Sequence, residues 1–466
     1  MALTHPVALP LPADPLTLPA HPDPLTDRLH ASGLLHELAH GLDGPFHYLL
    51  PERFDANLAA FRAALADSGV DGRVYYAKKA NKASVFVERC AEAGAGVDVA
   101  SLGELRDALG HGVRGEDLVV TGPAKSEQLL RVAVRQGSLI AVDAPDELDR
   151  LLGLDTGRPA RILLRRLPPN QPRSRFGLDD AQLDRALRTC ADAGGRVRME
   201  GFSFHLSGYD TRPRADLAGE LIELCLGARS LGLPADRISI GGGFAVDYVD
   251  AAAWDTFLTE QRPGHYHGDK TFAAGDFYPY HSPVAGADAL RAVLAARPGG
   301  TGPALAERLR QAGVTLLLEP GRALLDRAGS SVFRVQGVKD RAGYGIVTVD
   351  GTSLSLSEQW FNSEYLPEPQ LLPAPASGSA PGAGTETAGP YPACVGGASC
   401  LDSDLLTWRK VPFPARPRVG DLLVYPNSAG YQMDSNESPF HELPLPPKVV
   451  VDRPGDGAGH RWRLDR

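Results

Sequence analysis

The chain has 466 residues, a mass of 49.6 kDa and 43% hydrophobic residues, enough to bury a large core as two domains or as one barrel with additions. A formal net charge of −9 and a pI near 5.8 argue against a nucleic-acid or anionic-membrane partner, and no apolar run approaches the roughly 20 residues that span a bilayer. Cys90, Cys190, Cys225, Cys394 and Cys400 form no CxxC pair and no disulfide-like framework, so a reducing cytoplasmic setting is expected.

Residues 1–43 are rich in Pro and Leu but lack a basic start and a continuous apolar run, and read as an irregular N-terminal extension without a signal peptide. Residues 44–50 read as a short strand. In 51–68, Leu58, Phe61 and Leu65 recur on one side of a helix. Eight strand-like runs follow, at 74–77, 97–100, 118–121, 139–142, 162–165, 199–205, 238–240 and 314–318. Amphipathic stretches such as 102–109, 126–136, 145–152, 179–193 and 215–231 separate them, with Gly or Pro near their ends. Eight alternations of strand and helix close a cylinder, so 44–325 is expected to be a (β/α)8 TIM barrel with one preceding strand.

The Tyr-, His-, Gly- and Asp-rich stretch 264–282 is too long for a turn and reads as a functional loop. Its His265, His267 and His281 have no Cys or carboxylate completing a ligand spacing, so surface or substrate-facing histidines are expected rather than a metal site. Beyond Leu325, short alternating runs at 331–338, 344–349, 421–425 and 448–451 indicate a β domain over 326–466. Within it, 371–392 is dominated by Pro, Ala, Gly, Ser and Thr and reads as a flexible insertion.

Barrel chemistry sits where strands end, and those positions carry reactive groups. The first strand ends in Lys78-Lys79. Side chains alternate between faces, so only Lys79 shares the inward face of Ala77, where an amine could form a Schiff base with an aldehyde cofactor. Later strands end at Asp98 and Ser101, at Lys125, at Asp143, at Arg165 and Arg166, and at His205. The seventh supplies Gly241-Gly242-Gly243 and the eighth Glu319-Pro320-Gly321-Arg322. A glycine triplet lets backbone N–H groups approach a phosphate, and Arg322 can add a charged donor.

Tyr76-Ala77-x-Lys79-Ala80-Asn81, Gly96-Val97-Asp98-Val99-Ala100-Ser101-x-x-Glu104-Leu105, the glycine triplet and Glu319-Pro320-Gly321-Arg322 together resemble the fold-type III pyridoxal-phosphate decarboxylases, which act on diaminopimelate, ornithine or arginine. The similarity runs in order over 44–451. It implies an alanine-racemase-like barrel followed by a C-terminal β domain, pyridoxal 5'-phosphate as cofactor, and a head-to-tail homodimer with shared active sites. It further implies that Lys79 holds the cofactor as a Schiff base, that His205 stacks on the pyridine ring, and that Glu319 pairs with the pyridine nitrogen. A carboxylate there favours the protonated ring, which draws electrons from the breaking bond. Asp98, Ser207, Gly241, Gly242, Gly243, Gly321, Arg322 and Tyr431 complete the implied cofactor set. Gly397-Ala398-Ser399-Cys400 resembles the family's Gly-Pro-x-Cys, with Cys400 the acid that protonates the product from the partner chain.

Some positions depart from that pattern. Ser207-Gly208 reverses the usual Gly-Ser order, Ser239 stands at a usual Asp position, and Leu401 replaces the acidic residue that follows the cysteine, leaving Asp402 and Asp404 as nearby substrate contacts. Trp360, Phe361, Asn362 and Tyr365 occur where diaminopimelate decarboxylases carry Arg-Pro-x-Leu-Tyr. The expected function is therefore α-decarboxylation of an amino acid or amino-acid-like intermediate other than plain diaminopimelate. The alternatives are a racemase of the same fold, against which Glu319 argues, and a non-catalytic homologue acting as a regulator.

Overall fold

The computed structural model describes residues 15–356, 363–375, 390–434, 436–452 and 461–465. They form two compact units, one of Arg53–Ala245 with Val284–Leu324, the other drawn from Met1–Glu52, Val246–Pro283 and Leu325–Asp465.

The first unit is a closed parallel barrel. One strand precedes it in the chain, β1 (Phe46–Leu49), and the barrel staves are β2 (Gly72–Ala77), β3 (Gly96–Val99), β4 (Leu118–Val120), β5 (Leu139–Val142), β6 (Ala160–Arg165), β7 (Val197–Ser203), β8 (Arg237–Ser239) and β9 (Thr315–Leu318). Each pairs with the next, and Val74 opposite Leu318 closes the ring. Tyr75, Val119, Leu139, Leu163 and Leu317 cluster within it, all nearly inaccessible. Strands buried on both faces read as continuous apolar runs, which is why they stood out in the sequence. Gly96 is obligatory in this packing, because the Tyr75 ring would lie 2.2 Å from a Cβ placed there.

The second unit is a nine-stranded mixed sheet. It contains β1, β10 (Gly329–Arg341), β11 (Tyr344–Val349), β12 (Gln370–Leu372), β13 (Tyr391–Gly396), β14 (Leu405–Phe413), β15 (Leu422–Tyr425), β16 (Lys448–Asp452) and β17 (Arg461–Leu464). The strand expected just ahead of the barrel, β1, lies here instead, antiparallel to β10 and parallel to β16. All four of its residues are buried, and two buried faces in a sheet satisfy its apolar run as well as a barrel would.

Two helices replace the irregular extension expected before residue 44. Pro24–Ala31 starts at an Asp23 cap with Pro at its first position, and Leu34–Leu42 follows after Gly33 in the left-handed region. Leu25, Leu29, Leu34, Leu35 and Leu38 pack with Phe46, Tyr48, Val332, Val424 and Val449 on the sheet. The stretch expected to be a functional loop is likewise built into this unit. Tyr266, Tyr278 and Tyr280 are fully buried, and His267 Nδ1 lies 2.9 Å from the Tyr344 hydroxyl. His265 is buried, and His281 bonds Asp247 at 2.8 Å. His267 is packed against Tyr344 and Trp408, His281 is held by Asp247, and His265 Nδ1 accepts the Arg262 N–H at 3.2 Å, so all three are tied into this unit.

The flanks of the Pro- and Gly-rich insertion are strands, since β12 pairs with β15 and β13 with β11, while 376–389 lies outside the described residues. Trp360, Phe361 and Asn362 also lie outside them. Tyr365 is buried, its hydroxyl donating to Pro426 O at 2.7 Å and Asn427 O at 2.9 Å, so it is a structural post. Among the described residues no helix is long and apolar enough to cross a membrane.

Candidate active site

The C-terminal ends of β2, β3, β8 and β9 bring the expected barrel groups together. Backbone hydrogen bonds fix the rim: Ala77 N donates to Pro320 O at 3.1 Å, and Glu319 N to Gly241 O at 2.9 Å. The lysine at the end of β2, the Glu-Pro-Gly-Arg stretch and the glycine triplet are thus adjacent although they lie up to 243 residues apart in sequence, from Lys79 to Arg322.

The two lysines separate as strand alternation requires. Lys78 is 3% exposed, with Nζ 2.9 Å from Asp107 and 3.1 Å from Lys82 O. The Lys79 side chain is 46% exposed, with Nζ 3.3 Å from Asp98 Oδ2. Asp98 is buried on β3, and its other oxygen accepts from the Thr121 hydroxyl at 2.6 Å. Lys125 is not available at the rim. Its Nζ is enclosed by Glu147, Gly122 O and Ala141 O, making a buried strut between strand ends. Ser101 and Glu104, part of the family-like motif, also act structurally. Ser101 caps the helix Leu102–Gly110, and the Glu104 carboxylate accepts the Ala100 N–H at 2.7 Å.

Glu319 follows β9. Ser239 Oγ donates to its Oε1 at 2.6 Å and itself accepts the Gly241 N–H at 3.3 Å, so one hydroxyl joins the acid to the glycine turn. Burial, with the negative charge of Asp98, pushes the Glu319 carboxyl up to about 7, while the Ser239 bond and the cations Lys79 and Arg165 pull the other way. Gly241 and Gly243 have φ of +66° and +78°. A Cβ on Gly241 would lie 2.9 Å from His205 Nδ1, and one on Gly242 would lie 2.6 Å from Glu319 O. Any side chain would fill this cradle, and the left-handed turns suit glycine.

His205 lies just past β7, is exposed and lines an open bowl. Desolvation beside the barrel, then the positive charges of Lys79, Arg165 and Arg214, lower the pKa of its imidazole. It is therefore a neutral ring. Arg165 bonds Asp143 at 3.1 Å and rests 4.4 Å over the Phe176 ring, and a cavity of about 610 Å3 opens beside it, lined in part by Arg173, Arg175, His205 and Ser207. Ser207 is exposed, and Arg322 is 5% exposed in the turn Arg322–Leu325.

Sequence reasoning missed Arg214. It is buried on the helix Thr211–Ser230 and donates to Ile240 O at 2.9 Å and to Gly208 O and Gly243 O at 3.3 Å each. One guanidinium thus ties the loop after His205 to the glycine triplet. Burial lowers its pKa to about 10. Its signal was faint, an arginine on a helix whose apolar neighbours are buried.

In the sheet unit, Cys400 is exposed between β13 and β14. Asp404, expected near substrate, is buried and spent on backbone, accepting Ser353 N at 2.7 Å and Ser399 N at 3.2 Å. It shapes the Cys400 turn, and a Cβ on Gly397 would strike its carboxylate at 2.2 Å. Asp402 remains exposed. Tyr431 adopts a φ of +78°, a costly conformation for a non-glycine residue.

Residues 52–261 match the family described as pyridoxal-dependent decarboxylase, pyridoxal binding domain. An uncharacterised protein of Sinorhizobium fredii is 40% identical over 428 residues, 91% of each chain. The diaminopimelate decarboxylase of Deinococcus radiodurans is 29% identical, over 93% of this chain and 95% of its own. In fold, the chain is similar to the lysine/ornithine decarboxylase of Vibrio vulnificus solved with cadaverine, with a TM-score of 0.69 at 20% identity over 92% of this chain and 98% of that one. The diaminopimelate decarboxylase of M. jannaschii solved with L-lysine gives 0.70 at 19% identity over 93% and 91%.

Proposed function

The chain belongs to the fold-type III pyridoxal-phosphate-dependent decarboxylases, and from that premise we propose that it removes the α-carboxylate of an amino acid or amino-acid-like biosynthetic intermediate, releasing carbon dioxide and an amine. Its cofactor is pyridoxal phosphate, and the barrel rim offers groups that fit it: an accessible amine, a buried acid, a flat neutral ring and a cradle that any Cβ would fill. When bound, the cofactor supplies the electron sink for the bond that breaks.

In this reading Lys79 would hold the cofactor through its aldehyde, with Asp98 fixing the amine. Glu319 would pair with the pyridine nitrogen. A carboxyl held at about 7 is well matched to share a proton with that nitrogen, and Ser239 fixes which oxygen does so. His205, neutral and free of a like charge against the ring's proton, would stack on the pyridine ring. Gly241 to Gly243, Gly321 and Arg322 would hold the phosphate, with Ser207 a weaker contact and Tyr431 the tyrosine that the family resemblance assigns to the same group. Arg165, Arg173 and Arg175 place positive charge at the cavity mouth, suited to a substrate carboxylate. Cys400 of a second chain protonates the carbon after carbon dioxide leaves, in a head-to-tail homodimer.

The observation that carries this reading is the Lys79 amine beside Asp98 at the rim that also holds Glu319. Borohydride reduction of the holoenzyme followed by peptide mapping tests it, with label expected on Lys79. Label on Lys78 or Lys125 would overturn the assignment. Incubation with pooled amino acids, watched by mass spectrometry for loss of carbon dioxide, then identifies the substrate.

A further inference from the structure

Cys400 has a partner that no motif announced. Its Sγ lies 3.0 Å from Nε2 of His441, and the Cys400 backbone N–H donates to the same nitrogen at 3.3 Å. A nitrogen that accepts a backbone N–H carries no proton of its own, so the neutral ring is protonated at Nδ1 and the thiol S–H donates to Nε2. The ring is held in place. His441 and the following Glu442 both adopt left-handed backbone, with φ of 60° and 59°, and the Phe440 ring lies against the imidazole at 4.2 Å between centroids. Two consecutive strained non-glycine residues persist only where the surroundings impose them, and such strain clusters at functional sites. On the other side, Asp404 holds the cysteine turn through Ser399 N, and Ala398 N donates to Gly351 O at 2.8 Å. Both members of the pair are exposed, so solvent protons can reach them.

We propose that His441 is the positioning and proton-reloading partner of Cys400, a role that rests on the reading of Cys400 as the group that protonates the product carbon. The balance is simple. The S–H bond breaks as a C–H bond forms, leaving thiolate beside neutral imidazole. A solvent proton then enters at Nε2, the imidazolium passes it to sulfur, and the thiol is restored with one solvent proton consumed per turnover. The ionisable groups adjoining the pair are Asp402 and Asp404 on the cysteine turn and Glu442 beside the histidine. Asp404 is engaged by backbone amides, and His441 is the group that the structure hydrogen-bonds to the thiol.

The test is iodoacetamide labelling of Cys400 in the holoenzyme across pH 5.5 to 9, quantified by peptide mapping, for wild type, His441→Gln and His441→Ala. An imidazole that accepts the S–H hydrogen bond assists removal of that proton as the sulfur attacks an alkylating agent. Labelling at pH 6.5 should fall about tenfold in both variants, and added imidazole should restore it in His441→Ala but not in His441→Gln, whose side chain fills the space. Wild-type labelling profiles in both variants, with unchanged melting temperature, would overturn the pairing. Carbon dioxide release from a pool of common amino acids and diaminopimelate separates the two claims. If Cys400→Ala turns over as wild type does, the role of Cys400 fails. If Cys400→Ala is inactive while both His441 variants keep wild-type turnover and labelling, only the role of His441 fails.

Discussion

Glu319 is costly to ionise where it stands, and that cost is what the cofactor relieves. Its carboxyl is held at about 7 against an ordinary value of 4.5, so the folded protein binds this proton more tightly than the unfolded chain does. Its contribution to stability is thus fully present below pH 4.5 and is lost as pH rises through 7. On going from pH 5 to pH 7.5 the cofactor-free wild type should lose melting temperature relative to Glu319→Gln. Asp350 and Glu364, raised by burial to about 6 and about 7, act in the same direction and the lowered histidines His47 and His205 in the opposite one, so the difference between wild type and variant isolates Glu319. An identical pH slope in the variant would contradict this. With cofactor bound, the same variant should keep its visible absorbance but lose turnover by roughly 100-fold, since an amide cannot favour a protonated pyridine. Lys79, His205 and Glu319 could be named from sequence because each stands just past a strand end and matches a position of the decarboxylase pattern that the chain resembles. Arg214, Thr121 and His441 could not. Thr121 acts by one hydroxyl on Asp98, and His441 stands 41 residues from Cys400 with no pattern linking them.

At the scale of elements, the helix Thr211–Ser230 is a buttress for the glycine turn, because it delivers Arg214 to three carbonyls. Arg214→Met keeps the bulk and strands Ile240 O, Gly208 O and Gly243 O without their donor. The expected loss is about 1–3 kcal/mol of stability, together with faster loss of cofactor on dialysis. Denaturant melts with and without added pyridoxal phosphate measure both. Stability lost without weaker cofactor retention would mean that the turn is formed by other means. The eight barrel strands were legible because parallel strands buried on both faces are short apolar runs bounded by glycine. The helices Pro24–Ala31 and Leu34–Leu42 were not, since eight or nine residues give too short a window for helical periodicity. Composition also sets the expectation for 376–389, which offers few apolar side chains to bury. Replacing it by a short Gly/Ser link that leaves β12 and β13 intact should move the melting temperature by no more than about 2 °C. A larger drop would show that it supports the sheet.

For the whole molecule, the groups assigned to one reaction are divided between two compact units, Lys79 in the barrel and Cys400 in the sheet unit. If a two-fold dimer unites them, Lys79→Ala and Cys400→Ala should each be nearly inactive. Mixed after dissociation and reassociation, they should recover about one quarter of wild-type activity in a random mixture, because one site of each heterodimer escapes both changes. Chains shown to exchange without any recovered activity would reject the shared site. The division itself was only partly legible. The change from helical to alternating patterns near Leu325 marked a second unit, but nothing local told that 246–283 belongs to it, because membership depends on partners such as Tyr344 and Tyr365 that come later.

That interleaving has a consequence for how the protein is made. β1 emerges from the ribosome almost at once, yet its parallel neighbour β16 begins at Lys448, about 400 residues afterwards. At roughly 5–20 residues per second, one edge of the strand waits on the order of 20 to 80 s for β16, although β10 becomes available to the other edge sooner. The barrel can close in the interval, since its first and last staves lie within 72–318. A nascent chain halted before Lys448 would therefore carry a finished barrel and an unpaired strand edge, the form of partly folded chain most prone to join another of its kind. Late stop codons should then yield aggregates rather than shortened enzymes, and chaperones that shield apolar segments should bind the first fifty residues for most of translation.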